Sequence, residues 1–427
     1  MAADHTVGGR TTDGHITLAD VGAAANDPGL PDIADPDLYA DGDPLPVWEQ
    51  LRATAPVHWN DHPHGGGFWA VMTHAPAVQV YRDNHTFTSE RGMRLGSHPQ
   101  AVAAAAGRML IVTDPPRHSQ VRKTMNPAFT PRRTAALEHT MREVLEPLLD
   151  AALEKGTVDF VDEVAAVLPS AIVCHLMDIG QRERLSLVEL SSTAFGSSLG
   201  ANGCPVSPSA RTLANAEIFR FYRDLLARRR AAPGEDVVSL LAEGMADGAP
   251  LTDQEILLNC NGLLTGANET TRLSSAAGLL ALMDNPGQWQ RLRDREVDLD
   301  TAVDEILRWS TPAMHVVRVA RTTTVIGGQT VRAGEQVAIW NPSVNRDESV
   351  FDQPHTFDLG RRPNRHLAFG LGNHFCIGAS LARVELRVFL HVLLDKVAGA
   401  RLAGPIRRMR SNFMWGIESL PVTLQPH

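Results

Sequence analysis

Apolar positions recur at three- and four-residue intervals along most of the chain, a period that predicts helices. From Pro131 to Lys155 the apolar face is carried by Leu137, Met141, Val144, Leu145, Leu148 and Leu149. Val164–Met177 and Ala214–Arg230 follow the same period. Strand patterns are fewer. Pro56–Asn60 (PVHWN) and Phe68–Met72 (FWAVM) flank a turn rich in His, Pro and Gly, which predicts a hairpin. A second sheet region runs from His315 to Trp340, with turns at Gly327-Gly328 and Ala333-Gly334. The expected class is mainly α with small β-sheets.

The longest helical pattern opens at Thr252, an N-cap residue with Glu255 three positions on to complete a capping box. It runs to Met283, where Asp284-Asn285-Pro286-Gly287 stops it. About 30 helical residues span roughly 45 Å, so this helix should cross the domain and be buried. Its middle reads Thr265-Gly266-Ala267-Asn268-Glu269-Thr270-Thr271. Gly, Asn and Thr are poor helix formers, and burying an unpaired carboxylate is costly, so stability does not explain the stretch. Small residues make room, a Thr hydroxyl can bond the backbone, and an acid beside an alcohol offers a path for a proton. A close helix crossing with a structural Thr pair accounts for the same residues equally well.

Composition narrows the function classes. The 427 residues are 43% hydrophobic and 21% charged, which excludes a disordered chain and allows a large core. Residues 1–31 are rich in Gly, Ala, Asp and Thr and are expected to form a flexible tail. No linker or repeat follows, so residues 32–427 are expected to form a single domain. A net charge of -9 argues against nucleic acid as a partner. Cys174, Cys204, Cys260 and Cys376 are far apart and form no CxxC pair, so neither a disulfide framework nor a zinc ribbon is suggested. The N-terminal stretch lacks the pattern of a signal peptide, and no apolar run reaches about 18 residues. A cytoplasmic protein with no membrane association is expected.

The stretch from His366 to Leu386 carries the strongest chemistry. Gly370, Gly372 and Gly378 surround Cys376, and a helical pattern begins just beyond. A thiol at a helix N-terminus is biased towards thiolate, and glycines let a flat ligand approach the backbone. An inert turn cysteine is the competing reading; the glycines together with His374 and Phe369 disfavour it.

The run Phe369-Gly370-Leu371-Gly372-Asn373-His374-Phe375-Cys376-Ile377-Gly378 resembles the FGxGxHxCxG signature of the bacterial cytochromes P450. The resemblance extends over nearly the whole chain from Asp32. It implies the cytochrome P450 fold, with a long central helix over a haem and the Cys-ligand loop on the opposite face. It also implies haem b (iron protoporphyrin IX) held by the Cys376 thiolate, with O2 as co-substrate. Gly266–Thr271 is similar to the family's oxygen-activation stretch, which makes Glu269 and Thr270 the expected proton relay. Ala267 stands where the family usually has a second Gly, and its methyl group bears on the shape of the oxygen groove.

Other segments agree with the resemblance. Glu305-Ile306-Leu307-Arg308 matches the ExxR motif, whose pair the family joins to a later Arg, by position Arg361. His118 and Arg122 in Asp114–Lys123, together with Arg318 and His374, match the bases that meet the haem propionates. By the same resemblance the substrate pocket draws on the loop Arg91–Leu110, on Leu176–Ala210, on Ala313–Val317 and on Ser411–Gly416. Met93, Leu264, Met314, Val316, Val317, Phe413, Met414 and Trp415 are its candidate residues, and their apolar character fits a lipophilic small molecule. Ser197–Ser209 reads as a loop that opens and closes over that pocket. Arg117, Lys123, Arg132, Arg133 and Arg365 are candidates for a docking patch facing an acidic ferredoxin.

The implied activity is a haem-thiolate monooxygenase that inserts one oxygen atom from O2 into a C–H bond, or epoxidises, in bacterial secondary-metabolite, steroid or terpenoid metabolism. Electrons are expected from NAD(P)H through ferredoxin reductase and ferredoxin, and the enzyme is expected to be a monomer. Alternatives are oxidative coupling or rearrangement, a carrier-protein-bound substrate, a non-catalytic haem sensor, and a zinc site built from His366, His374 and Cys376. His175 is read as a core histidine, and Arg228-Arg229-Arg230 as a helix end.

Overall fold

A computed structural model describes residues 31–61, 66–195 and 206–427. The expected N-terminal tail, the turn of the first hairpin and most of Ser197–Ser209 lie outside the described residues.

Helices dominate, and the elements that build the site are few. They are α1 (Arg117–Met125), α2 (Val167–Leu176), α3 (Pro208–Ala231), α4 (Asp253–Asp284), α5 (Leu299–Ser310) and α6 (Ala379–Lys396). The central helix α4 begins where its capping box predicts: Thr252 and Glu255 exchange side chain and backbone hydrogen bonds. Helices α2, α3, α5 and α6 all pack against it. Its Leu264, Ala276, Leu279 and Leu282 join the α2 residues Ile172 and Cys174 and the α6 residues Leu386 and Phe389 in the largest core cluster.

The main sheet contains β1 (Val57–Asn60), β2 (Phe68–Val71), β3 (Phe87–Thr88), β4 (His315–Ala320) and β5 (Gln336–Trp340), in the order β1-β2-β5-β4-β3. The predicted hairpin pairs Val57 with Val71, and β5 joins it in parallel through Val337 and Trp69. Alternation sends the two faces into separate clusters. Val337 and Ile339 pack with Trp69 and Val71 on one side. Ala338 and Trp340 pack with Phe68 and Ala70 on the other. The turn signals also hold, since Gly327 and Gly328 have positive φ between Thr324–Ile326 and Gln329–Val331.

The segment Pro131–Lys155, expected as one helix, is two: Pro131–Ala136 and Glu138–Lys155. Thr134 explains the break. Its hydroxyl bonds back to the carbonyls of Thr130 and Pro131 and meets Ser380 at 2.9 Å. A tighter backbone bond from Leu137 to Thr134 closes the first helix there. His175 is exposed in the last turn of α2 and not a core residue, because its position falls off the buried stripe of that helix. Arg228, Arg229 and Arg230 do end α3, where each finds an acid: Glu183, Asp178 with Asp236, and Asp253.

Candidate active site

Cys376 sits in a tight loop directly before α6. Its backbone N–H donates to the Phe369 carbonyl at 2.9 Å, and Phe375 donates to Gly372 at 3.1 Å. The loop needs glycine at two positions. Gly370 and Gly372 have φ of +66° and +73°, and a Cβ on Gly372 would lie 2.6 Å from the Tyr81 carbonyl oxygen. The Phe369 ring packs edge-on to Phe375 at 6.0 Å and carries the Arg383 guanidinium 4.7 Å from its centroid. The loop crowds the thiol and raises its pKa, although the residue keeps an exposed surface. The Gly378 backbone N–H and the charges of Arg122 and Arg383 pull the other way. Burial therefore outweighs the helix-end bias towards thiolate that the sequence suggested, while the groups that stabilise a thiolate stand in place.

Four bases gather beside this loop. His118 and Arg122 lie on one face of α1, as their spacing predicts. The His118 and His374 rings are 4.3 Å apart. Arg122 donates to the Asn373 carbonyl at 3.3 Å. His118, Arg122, Gly372 and Asn373 line a cleft of about 340 Å³. Arg318 on β4 is only 6% exposed, and among the described residues its side chain makes a single hydrogen bond, to the Val317 carbonyl.

Burial lowers the His118 pKa to about 4, with Arg122 adding to the effect. Burial, then Arg318 and His118, lowers His374 to about 3. Each imidazole is thus neutral and keeps one N–H to give. Both ring nitrogens of His118 are buried without a partner, which costs roughly 1–3 kcal/mol per group unless an acceptor is supplied. His118 without a partner and the Arg122 and Arg318 guanidiniums with one acceptor each among the described residues, gathered with His374 next to a cysteine in a glycine loop, fit a thiolate-held haem with two propionates.

Asp114 organises the edge of this cluster and was not singled out from sequence. Ser89 donates to it from backbone and hydroxyl at 3.0 and 2.6 Å, and Thr88 and Arg321 also bind it. Burial alone would raise its pKa, but these partners hold it below the ordinary value. Ser89 in turn reaches His374 Nε2 at 3.3 Å.

The α4 notch is continuous helix. The Thr270 hydroxyl donates to the Gly266 carbonyl at 2.9 Å, as expected of a helical Thr. Gly266 is exposed and Ala267 is half-buried against the helical core. Glu269 pairs with Arg272 at 2.5 Å, a partner visible in the i, i+3 spacing but not picked out. Thr271 hydrogen-bonds Glu385 of α6. Burial pushes the Glu385 pKa up to about 8 against that bond.

The ExxR expectation is met. Glu305 and Arg308 pair at 2.7 Å with both side chains fully buried. Arg361 reaches Glu305 at 3.1 Å, and Arg308 also donates to the carbonyls of Asn345, Pro354 and Thr356. This network ties the loop preceding Cys376 to α5.

The pocket set divides. Met93, Val316, Phe413, Met414 and Trp415 keep some accessible surface. Leu264, Met314 and Val317 are at 1, 0 and 1% exposure and belong to core clusters. They are corrected from candidate pocket residues to packing residues. The docking set shrinks as well. Arg117 is bound to Asp247 and Glu255, and Arg133 to Glu235. Lys123, Arg132 and Arg365 are exposed and form no ion pair among the described residues. The zinc alternative fails among the described residues, where no group of three metal-ligating side chains occurs. His366 faces Asp304 at 3.3 Å instead. Among the described residues, no single helix is long and apolar enough to cross a membrane.

Comparison with known proteins agrees with this geometry. Residues 212–397 match the family model described as Cytochrome P450. The chain is 38% identical to Cytochrome P450 NovI of Streptomyces niveus, over 92% of this chain and 96% of that one. It is 35% identical to Linalool 8-monooxygenase of Pseudomonas putida, over 93% and 99%. The crystal structure of P450 OxyD, involved in the biosynthesis of vancomycin-type antibiotics, superposes with a TM-score of 0.86 at 34% identity, covering 93% of this chain and all of that one.

Proposed function

The chain belongs to the cytochrome P450 family and is a haem-dependent monooxygenase, and on that premise we propose that Cys376 is the iron ligand and that Glu269 and Thr270 handle the protons. The haem, when bound, supplies the activation of O2 from which one oxygen atom is inserted into the substrate. The observation that carries the assignment is the cluster beside the Cys376 loop of His118, whose ring nitrogens have no partner, Arg122 and Arg318, each with one acceptor among the described residues, and His374.

The chain's own residues do the rest. His118 and His374 offer neutral N–H donors, and Arg122 and Arg318 offer charge, to the two haem carboxylates. The Gly378 N–H and the charges of Arg122 and Arg383 favour the thiolate form of Cys376. The Thr270 hydroxyl, resting on Gly266, can turn from that carbonyl to donate towards the reacting oxygen. Once the pair with Arg272 opens, Glu269 can take a proton from solvent and pass it on to replace the one Thr270 gives.

A lipophilic small molecule packs against Met93, Val316, Phe413 and Met414, and hydroxylation of one of its C–H bonds is the reaction assigned. Electrons come from NAD(P)H through ferredoxin reductase and an acidic ferredoxin, for which Lys123, Arg132 and Arg365 supply the remaining free bases. The enzyme works as a monomer in the cytoplasm. Turnover under isotopically labelled O2 tests this reading: one labelled atom in the product supports insertion, and an unlabelled coupled or rearranged product overturns it.

A further inference from the structure

Among the described residues Arg94 has no acid, although it lies against a protein wall where many other arginines have one. Arg52, Arg117, Arg133, Arg272, Arg308 and Arg362 all hold carboxylates. Among the described residues none faces Arg94, whose side chain lies over the Phe413 ring at 5.5 Å. Its neighbours on both sides are fixed to β4. The Met93 carbonyl accepts from Val317 N–H at 2.9 Å, and Leu95 N–H donates to His315 Nε2 at 3.0 Å.

His315 sets the electrostatics of this corner. Because Nε2 accepts from Leu95, the proton sits on Nδ1, which donates to the Asn412 carbonyl at 3.1 Å. The ring also lies 5.4 Å from Phe413. A neutral imidazole thus bolts the Arg94 loop to the Ser411–Gly416 loop and adds no charge of its own. Phe413 partly satisfies the cation through its ring face, but leaves the guanidinium fork without an oxygen acceptor. The side chain reaches solvent, yet nearby protein already withdraws enough water to lower the Arg94 pKa.

We propose that Arg94 is the anchor of an oxyanion-binding site at the edge of the substrate pocket, selecting ligands with an apolar body and a carboxylate or phosphate end. The inference rests on the monooxygenase reading, since it names the substrate class of that same pocket. The apolar body packs against Met93, Phe413 and Met414, while the planar fork takes the two oxygens of the anion. The anion has two natural sources, a free acid or the phosphate of a carrier-protein arm.

Binding of decanoate, decyl phosphate and decanol to the haem-loaded enzyme, followed by calorimetry and by the Soret shift, tests the site. At least one anion should bind about tenfold or more tighter than decanol, the worth of a charge-assisted pair. Arg94→Gln should bring all three within about twofold of one another, and Arg94→Lys should keep part of the preference. Tighter decanoate assigns the free acid, and tighter decyl phosphate assigns the carrier arm. Anions that bind no better than decanol, or not at all, overturn the proposal, as does a preference that survives in Arg94→Gln. The carbon monoxide spectrum of the same samples reports the thiolate ligand, so a parent enzyme that shows no anion preference with that spectrum intact sinks this inference alone.

Discussion

Glu269 and Arg272 form an ion pair at 2.5 Å across one turn of the central helix. The acid assigned to proton delivery is therefore held, and its partner is itself only 12% exposed, with a buried Nε that has no partner. Proton delivery then requires that this pair open. Arg272→Gln should leave the haem spectrum unchanged and alter the share of electrons that reach product. Measuring product and peroxide per NAD(P)H consumed checks it, and an unchanged ratio removes Arg272 from the relay.

Thr270 is the other half of the relay. Thr270→Ala removes the hydroxyl that rests on the Gly266 carbonyl without disturbing a buried residue. Product formation should fall by about 100-fold, in the range of a lost proton-transfer group, while peroxide rises. Coupling equal to the parent enzyme would show that the hydroxyl is only structural.

Glu305 anchors the loop that carries the cysteine. Glu305→Ala leaves Arg308 and Arg361 buried and unpaired, which costs about 3–5 kcal/mol for a broken buried pair. Unfolding in urea should shift to lower concentration, and less haem should be retained on purification. A variant as stable as the parent would mean that the carbonyls of Asn345, Pro354 and Thr356 satisfy Arg308 on their own.

Glu385 gives a pH signature. Its pKa is raised to about 8 by burial, so the folded protein holds this proton through a range where the unfolded chain has released it. Stability contributed at this site is complete below the ordinary glutamate pKa and is lost as pH climbs towards 8. The slope is about 1.4 kcal/mol per pH unit at most. Glu385→Gln, which keeps an amide oxygen to accept from the Thr271 hydroxyl, should gain on the parent from pH 5 to pH 8. Urea titrations across that range read the difference, and parallel curves would count against a protonated Glu385.

How far the sequence alone reaches depends on how local each feature is. The capping box at Thr252, the Glu305–Arg308 pair and the glycine loop around Cys376 are set within a few residues, and all three appear as read. Partners chosen by tertiary packing were not legible. Asp114 gathers Ser89 and Arg321 from distant segments, and Glu385 meets Thr271 across two helices. The apolar residues Met314 and Val317 carry nothing in their type to tell a pocket wall from a core. Alternation in β4 points Val317 into the cluster with Trp340 and leaves Val316 on the opposite face.

Arg318 and His118 should govern haem retention. Replacing Arg318 by Leu removes a charged donor to a propionate, worth about 1.5–3 kcal/mol. Transfer of haem to an excess of apomyoglobin should speed up by about 10-fold or more, and unchanged transfer would place the propionates elsewhere.

The most direct measurement is the spectrum of the dithionite-reduced protein under carbon monoxide, taken for the parent and for Cys376→His. The parent should show the red-shifted Soret band that gives the family its name, and the variant should show the band of an imidazole-ligated haem. A parent spectrum of the imidazole type in folded, haem-loaded protein would contradict the thiolate assignment at Cys376.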